Sequence, residues 1–553
     1  MSQETAKSLS STSVDAVVVG AGFGGLRMAY ELIQRGLTVK VIEAAADVGG
    51  TWYWNSYPGA RTDSESWTYA YSFSEELQNT WDWTEKFPTQ REVYRYLGHV
   101  ADLFDVRRHI DFNTRIVAAR FDEAQVSWTL TTDTGRRIEC TYLVLAVGLL
   151  SQPFTPEFDG IEDFAGQWHV TGRWPRDHEV DFAGKRVAVI GTGASGIQAI
   201  PLIAQAAEKL TVFQRTPNYV LPARNHSLAD LERQGIRAHY DDIWQTARTH
   251  PLGYAFDRPR VSGNDVTDSE FDDILERGWE VGGFRFLYET FNDTTIDENV
   301  NARVSEFVRH KIRTIVTDPD TAELLCPTAY PIGSKRPPLG HFYYETFNRP
   351  NVELVDVSSE PISAITRDGV RVGSSEYPAD VIVFATGFDA ATGAFDQIDI
   401  RGRGGRTLRE HWSDGPRTHL GITIDGFPNM FMISGPQSPF GNIPVVIETT
   451  VGWIADTVDY ARQSGIAALE PTQASVNDWW QVLQDYVNRS LMTRGRHSWF
   501  LGANIPGKPQ GVLFFFGGVG NYRKRCRAVA ENDYAEYLTQ LSDSPESWEL
   551  ARK

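Results

Sequence analysis

The sequence predicts an α/β fold with two Rossmann-like dinucleotide-binding domains and a helical insertion. Three observations carry this: a glycine-rich turn between an apolar strand and a helix at residues 20–25, a second such turn at 191–196, and a charge-rich segment with helical patterning between about 223 and 331. At 553 residues the chain is too long for one core, so two or three domains are expected.

The first unit opens with Val14 to Val19, a short apolar run of the kind that forms a strand buried on both faces of a parallel sheet. It ends at Gly20-Ala21-Gly22-Phe23-Gly24-Gly25. Leu26 to Gln34 then continues with helical spacing, Gly36 closes the helix, and Thr38 to Ile42 forms the next strand. In such a βαβ unit Gly20 permits the tight turn, Gly22 lets a pyrophosphate approach the backbone, and Gly25 lets helix and strand pack closely. The helix N-terminus adds free N–H groups and the positive end of its dipole. Glu43, 23 residues after Gly20, stands where an acidic side chain binds a ribose hydroxyl pair. With no phosphate-reading cation beside it, this unit is assigned to FAD.

The second unit runs from the strand Lys185 to Ile190 through Gly191-Thr192-Gly193-Ala194-Ser195-Gly196 to the helix Ile197 to Ala206 and the strand Leu210 to Gln214. Gln198 lies near the start of that helix and joins the candidate nucleotide contacts. After the second strand come Arg215 and Thr216, where an NAD site would place a carboxylate. A guanidinium keeps its charge and grips a phosphate bidentately, so the 2′-phosphate of NADPH is favoured. A third apolar run, Asp380 to Asp389, contains Ala385-Thr386-Gly387, and Ala146-Val147-Gly148 is a looser copy of it. Such a strand-then-glycine segment marks a crossing between the two nucleotide domains. The expected division is 1–152 with 385–553 for FAD, 153–222 with 332–384 for NADPH, and 223–331 for the insertion.

Bulk composition narrows the function classes. A net charge of −19 disfavours nucleic acid or an anionic membrane as partner. There is no run of 18 apolar residues to span a bilayer, and the polar start MSQETAKSLSST reads as a frayed tail. Cys140, Cys326 and Cys526 are far apart in sequence, without CxxC or metal-ligand spacing, so a cytoplasmic location and no metal are expected. No signature of an oligomeric state is present. The same spacing argues against a disulfide reductase, which needs a cysteine pair beside the flavin. Electrons from the flavin must then pass to oxygen, a substrate or a partner.

The stretch from Gly49 to Asp63 (GGTWYWNSYPGARTD) matches the pattern [A/G]GxWxxxx[F/Y]P[G/M]xxxD at every fixed position. On this basis the chain resembles the type I Baeyer–Villiger monooxygenases, class B flavoprotein monooxygenases, with a texture nearest cyclohexanone and steroid ketone monooxygenases. Lys335-Arg336-Pro337, Tyr344 to Arg349 and Ser498-Trp499 look like the same family. The resemblance implies FAD contacts from Thr51, Trp52, Asp63 and Tyr69, and NADP contacts from Lys335, Arg336 and Trp499. It further implies a ketone substrate and molecular oxygen. NADPH reduces the flavin, and the oxygen adduct at its C4a position attacks the carbonyl to yield an ester or lactone. Arg336 matches the family's fixed cation, a type of group that lowers a barrier by roughly 3–4 kcal/mol. Asp63 matches the acid that orients it.

The loop Thr493 to Lys508 reads as a lid whose Trp499 covers the nicotinamide. Phe440, Ile443 and the run containing Phe515 are candidates for an apolar ketone pocket, or ordinary core. Arg523-Lys524-Arg525 reads as a solvated helix face. One departure stands out: the family's FxGxxxHxxxW[P/D] begins at Phe164 and closes at Trp174-Pro175, but Val170 occupies the histidine position and His169 lies one place early. Two other readings stay open: a monooxygenase working at sulfur or nitrogen or an uncoupled NADPH oxidase, and a non-catalytic flavoprotein.

Overall fold

The computed structural model of the protein describes residues 12–155, 157–495, 498–542 and 547–551. Of the polar tail only Thr12 falls among them, and it already belongs to the strand Thr12–Val19; the rest lies outside the described residues.

Thr12–Val19 sits between two parallel neighbours, Val39–Ile42 and Arg137–Leu145, with Val18 opposite both Val41 and Val144. Covered on both faces, Ala16, Val17 and Val18 are fully buried, which is why the run is apolar without alternation. The antiparallel strands Ile116–Asp122 and Ser127–Thr132 extend this sheet. The late strands Asp399–Arg401 and Met430–Met432 return to it in parallel. The helix Ile443–Gln463 then packs on the helix Phe23–Gln34, where Arg35 pairs with Asp456 and Asp459.

A second sheet has five parallel strands in the order Val352–Asp356, Lys209–Gln214, Arg186–Ile190, Val381–Phe384, Gln167–Val170. Between 223 and 331 the described residues form helices and no strand. The longest of these helices, Glu298–Ile315, presents Val300, Val304, Val308 and Ile312 at four-residue spacing. All four are fully buried, in one cluster with Ile197, Ile200 and Ile203 of the helix Ala194–Ala206. The insertion is thereby fastened to the second nucleotide unit.

The two turns are built alike. Gly20 has φ +105° and Gly191 φ +108°, and a Cβ on either would lie 2.5 Å from a carbonyl oxygen, that of Ala146 or of Ala385. The two strand-then-glycine segments are therefore the neighbours that press on the first glycine of each turn. Behind the turns, a Cβ on Gly25 would lie 1.8 Å from Gly20 O, and one on Gly196 would lie 2.2 Å from Gly191 O. Gly25→Ala must displace backbone, a cost of about 1–3 kcal/mol. We expect a lowered melting temperature and loss of bound flavin; an unchanged Tm with full flavin content would refute it.

Candidate active site between the two nucleotide turns

A cavity of about 920 Å³ runs past both glycine turns. Gly20, Gly22, Glu43, Thr51 and Trp52 line it on the side of the first sheet, with Asp63 and Tyr69 deeper in. Gly191, Thr192, Gly193, Ser195 and Gln198 line it on the other side. Gly25 and Gly196 stand behind the turns, where their role is packing.

The walls suit two dinucleotides. The helices Phe23–Gln34 and Ala194–Ala206 begin at Gly22 and Gly193, and neither has a side-chain cap, so the first-turn N–H groups remain for a ligand. No atom lies within 4 Å of where a Gly193 Cβ would be. Glu43 is held at its strand end by the N–H groups of Ala21 and Ala45, at 2.6 and 2.7 Å, which leaves further lone pairs on each carboxylate oxygen. Arg215, Thr216 and Lys335 line the far end, and among the described residues neither cation has a carboxylate partner. Lys335 Nζ lies 4.5 Å from the Tyr330 ring centroid. Burial pushes its pKa down, with the Arg215 charge adding to the shift, to about 8. Two adjacent cations without a counter-charge make an anion site.

At the centre, Arg336 Nη2 donates a short hydrogen bond to Asp63 Oδ2. The Asp63 side chain is 2% exposed and that of Arg336 29%, so of the two Arg336 is the more open to the cavity. Burial opposes the Arg336 charge, but Asp63, helped by Tyr254 and Tyr288, offsets it and holds the pKa above the usual guanidinium value, while burial raises that of Asp63 itself. Phe284, from the insertion, lies 5.5 Å from the Arg336 guanidinium carbon, and Tyr254 lines the adjoining wall.

Trp499 lines the cavity too, edge-on to Phe514 at 5.0 Å and to Phe440 at 6.1 Å. The loop around it is pinned at its far end, where Lys508 pairs with Asp389 at 2.5 Å and Asp396 at 3.2 Å and Asn504 donates to Phe388 O. Residues 496–497 of the loop lie outside the described set. Phe440 and Ile443 line the cavity, but Phe515 does not. It is fully buried against Trp479 and Tyr486, and Phe514, on the opposite side of the extended chain, takes the place on the wall. Arg523 also departs from the solvated-face expectation: it is partly buried and donates to Thr449 Oγ1, while Lys524 and Arg525 are exposed.

The segment with the missing histidine forms the edge strand Gln167–Val170. Val170 packs in the sheet's core with Ala188, Ile190 and Phe384. His169 faces the opposite way, 5.4 Å from the Trp174 ring, with Nε2 buried and unpartnered. Strand alternation therefore prevents His169 from serving in place of residue 170. Further on, Arg173 donates to Ser151 O at 2.6 Å and stacks on Trp54, and Arg176 stacks on Tyr53, so this segment clasps the first unit.

A family model described as pyridine nucleotide-disulphide oxidoreductase matches residues 14–253. The chain is 41% identical over 536 residues to a phenazine N-monooxygenase, PhzNO1, from Lysobacter antibioticus, covering 96% of this chain and 98% of that one. It is also 41% identical to a Baeyer-Villiger monooxygenase from Pseudooceanicola batsensis, covering 95% and 96%. Among solved structures, an oxidized steroid monooxygenase bound to NADP superposes with a TM-score of 0.91 at 45% identity, over 96% of this chain and 99% of that one. The chain belongs to the Baeyer–Villiger monooxygenase family. This monooxygenase is an α/β flavoprotein of the two-nucleotide type, and other members have been solved with FAD and NADP.

Sequence reasoning missed Tyr254 and Arg173 as cavity residues, and within the run 514–516 it singled out Phe515 where Phe514 lines the wall. Tyr254 sits in a segment without motif, and only the folded insertion brings it over Arg336. Arg173 lies inside the departed fingerprint and was passed over for its histidine. Within the run 514–516, neighbouring phenylalanines are indistinguishable until the local course of the chain is known.

Proposed function

We infer that the protein is an FAD-containing, NADPH- and oxygen-dependent monooxygenase that converts ketones to esters or lactones. The Asp63–Arg336 pair carries this reading: a fixed cation, oriented by a buried carboxylate, faces a cavity reached by both nucleotide turns. FAD, reduced by NADPH, supplies the activated oxygen. The protein's part is to hold that oxygen and the carbonyl beside a preorganised charge and to keep water out. Arg336 stabilises negative charge as it develops on the carbonyl oxygen, and Asp63 keeps the guanidinium aimed. Glu43 takes the adenosine ribose of FAD, with Thr51, Trp52 and Tyr69 along the flavin. Ser195 and the turn 191–196 take the NADP pyrophosphate, Arg215, Thr216 and Lys335 its 2′-phosphate. Trp499 closes the nicotinamide side, and Phe440, Ile443 and Phe514 shape the ketone pocket. The units divide as 1–152 with 385–553, 153–222 with 332–384, and the insertion 223–331. The spacing of three free, buried cysteines supports a cytoplasmic setting.

Oxygen transfer to a ring nitrogen is a second reading, favoured by the equal identity to the phenazine N-monooxygenase. NADPH consumption compared with product on cyclohexanone, a bulkier ketone and a phenazine separates the two. Peroxide without ester from any ketone sinks the first.

The Lys335 pKa gives a pH signature. As a cation it binds the 2′-phosphate, so its contribution is full well below about 8, falls through its midpoint there and fades above. The KM for NADPH is expected to climb between pH 7 and 9.5 while that for NADH stays nearly flat. Parallel curves would remove Lys335 from the phosphate site.

A further inference from the structure

Two side chains in the cavity wall link the loop 57–63 to the helix that follows the second nucleotide turn. Tyr57 lies in the loop that leads to Asp63 and is buried. Its hydroxyl donates to Gln198 Oε1 at 2.8 Å. Gln198 Nε2 in turn donates to Arg61 O at 3.1 Å and reaches Asp63 Oδ1 at 3.4 Å. The other oxygen of Asp63 holds Arg336. A run of polar groups thus leads from Tyr57 through Gln198, on the helix that begins at the turn 191–196, and through Asp63 to the cation.

The run is stiff. Gly59 has φ +80°, and a Cβ there would lie 2.2 Å from Gln198 O, so the loop 57–63 rests on the helix Ala194–Ala206 and moves with it. It is also short of protons. The Tyr57 proton is committed to Gln198 Oε1, and the Gln198 amide protons to Arg61 O and Asp63 Oδ1. When a nucleotide settles on the turn 191–196 and shifts the start of the helix, Gln198 shifts with it, and the change is felt at Tyr57 and Asp63.

We propose that Tyr57 and Gln198 are positioning residues that couple nucleotide occupancy of the turn 191–196 to the setting of Asp63–Arg336. The proposal rests on the reading above of that turn as the NADP site and of Arg336 as the catalytic cation. It makes the aim of the cation part of the response to NADP.

The test is a double-mutant cycle on NADP⁺ binding to the FAD-loaded protein, read as the perturbation of the flavin's visible spectrum during titration. Asp63→Asn is expected to weaken NADP⁺ binding by about fivefold in the parent, the lower end of ordinary site–site coupling. In a Gln198→Leu or Tyr57→Phe background the same change is expected to cost less than about twofold, because the connection is already cut. Equal factors in all backgrounds, or no effect of Asp63→Asn in the parent, would overturn the proposal. Tyr57→Phe removes a single hydroxyl and keeps the cycle readable if Gln198→Leu sheds its flavin. The readout is a binding constant, so failure to oxidise any ketone would sink the functional reading alone. A parent that binds no NADP⁺ would sink both.

Discussion

Arg336→Ala is expected to abolish ester formation while NADPH still bleaches the bound flavin and oxygen still restores it with release of hydrogen peroxide. Among the described residues lining the cavity, this guanidinium is the cation held by a buried carboxylate. Removing a preorganised group of this kind costs about 10²- to 10³-fold in rate. Alanine also strands the Asp63 carboxylate, which at 2% side-chain exposure has little water to turn to. Breaking a buried pair on one side costs about 3–5 kcal/mol of stability. The double variant Asp63→Asn/Arg336→Ala is therefore expected to melt higher than Arg336→Ala and yet form no ester. Full product yield from Arg336→Ala would remove the residue from its assigned role.

Arg215→Ala is the second large effect. It leaves Lys335 as the remaining cation at the anion site, and a lost charge-assisted hydrogen bond is worth about 1.5–3 kcal/mol. The KM for NADPH is expected to rise by about 10- to 100-fold, against less than about threefold for NADH. If both rise together, Arg215 supports the strand end and does not read the phosphate.

Local rules made both βαβ units legible: an apolar strand, glycines at fixed intervals and a helix state their own geometry within about 25 residues. The glycine contacts bear this out, since Gly20 and Gly191 adopt nearly the same positive φ under nearly the same carbonyl. Glu43 and Arg215 were readable because each follows directly on a strand. Less was legible wherever position depends on packing between distant segments. The insertion shows helical periodicity, but nothing in it says that Tyr254 and Phe284 will meet Arg336. The choice between Phe514 and Phe515 turned on which face of an extended segment looks inward. His169 illustrates the same limit: one residue's displacement is small along the chain and a half-turn about the strand.

The carbonyl that seals each glycine turn comes from far along the chain, Ala146 for Gly20 and Ala385 for Gly191. Each glycine turn is therefore completed by a stretch of chain remote in sequence, and the two share one surface. Exchanging cofactor preference between relatives by grafting 185–216 alone would set a new turn beneath an old lid of backbone. A graft that carries 380–389 with it moves the interlocking parts together, and recombination breakpoints in this scaffold belong outside both pieces.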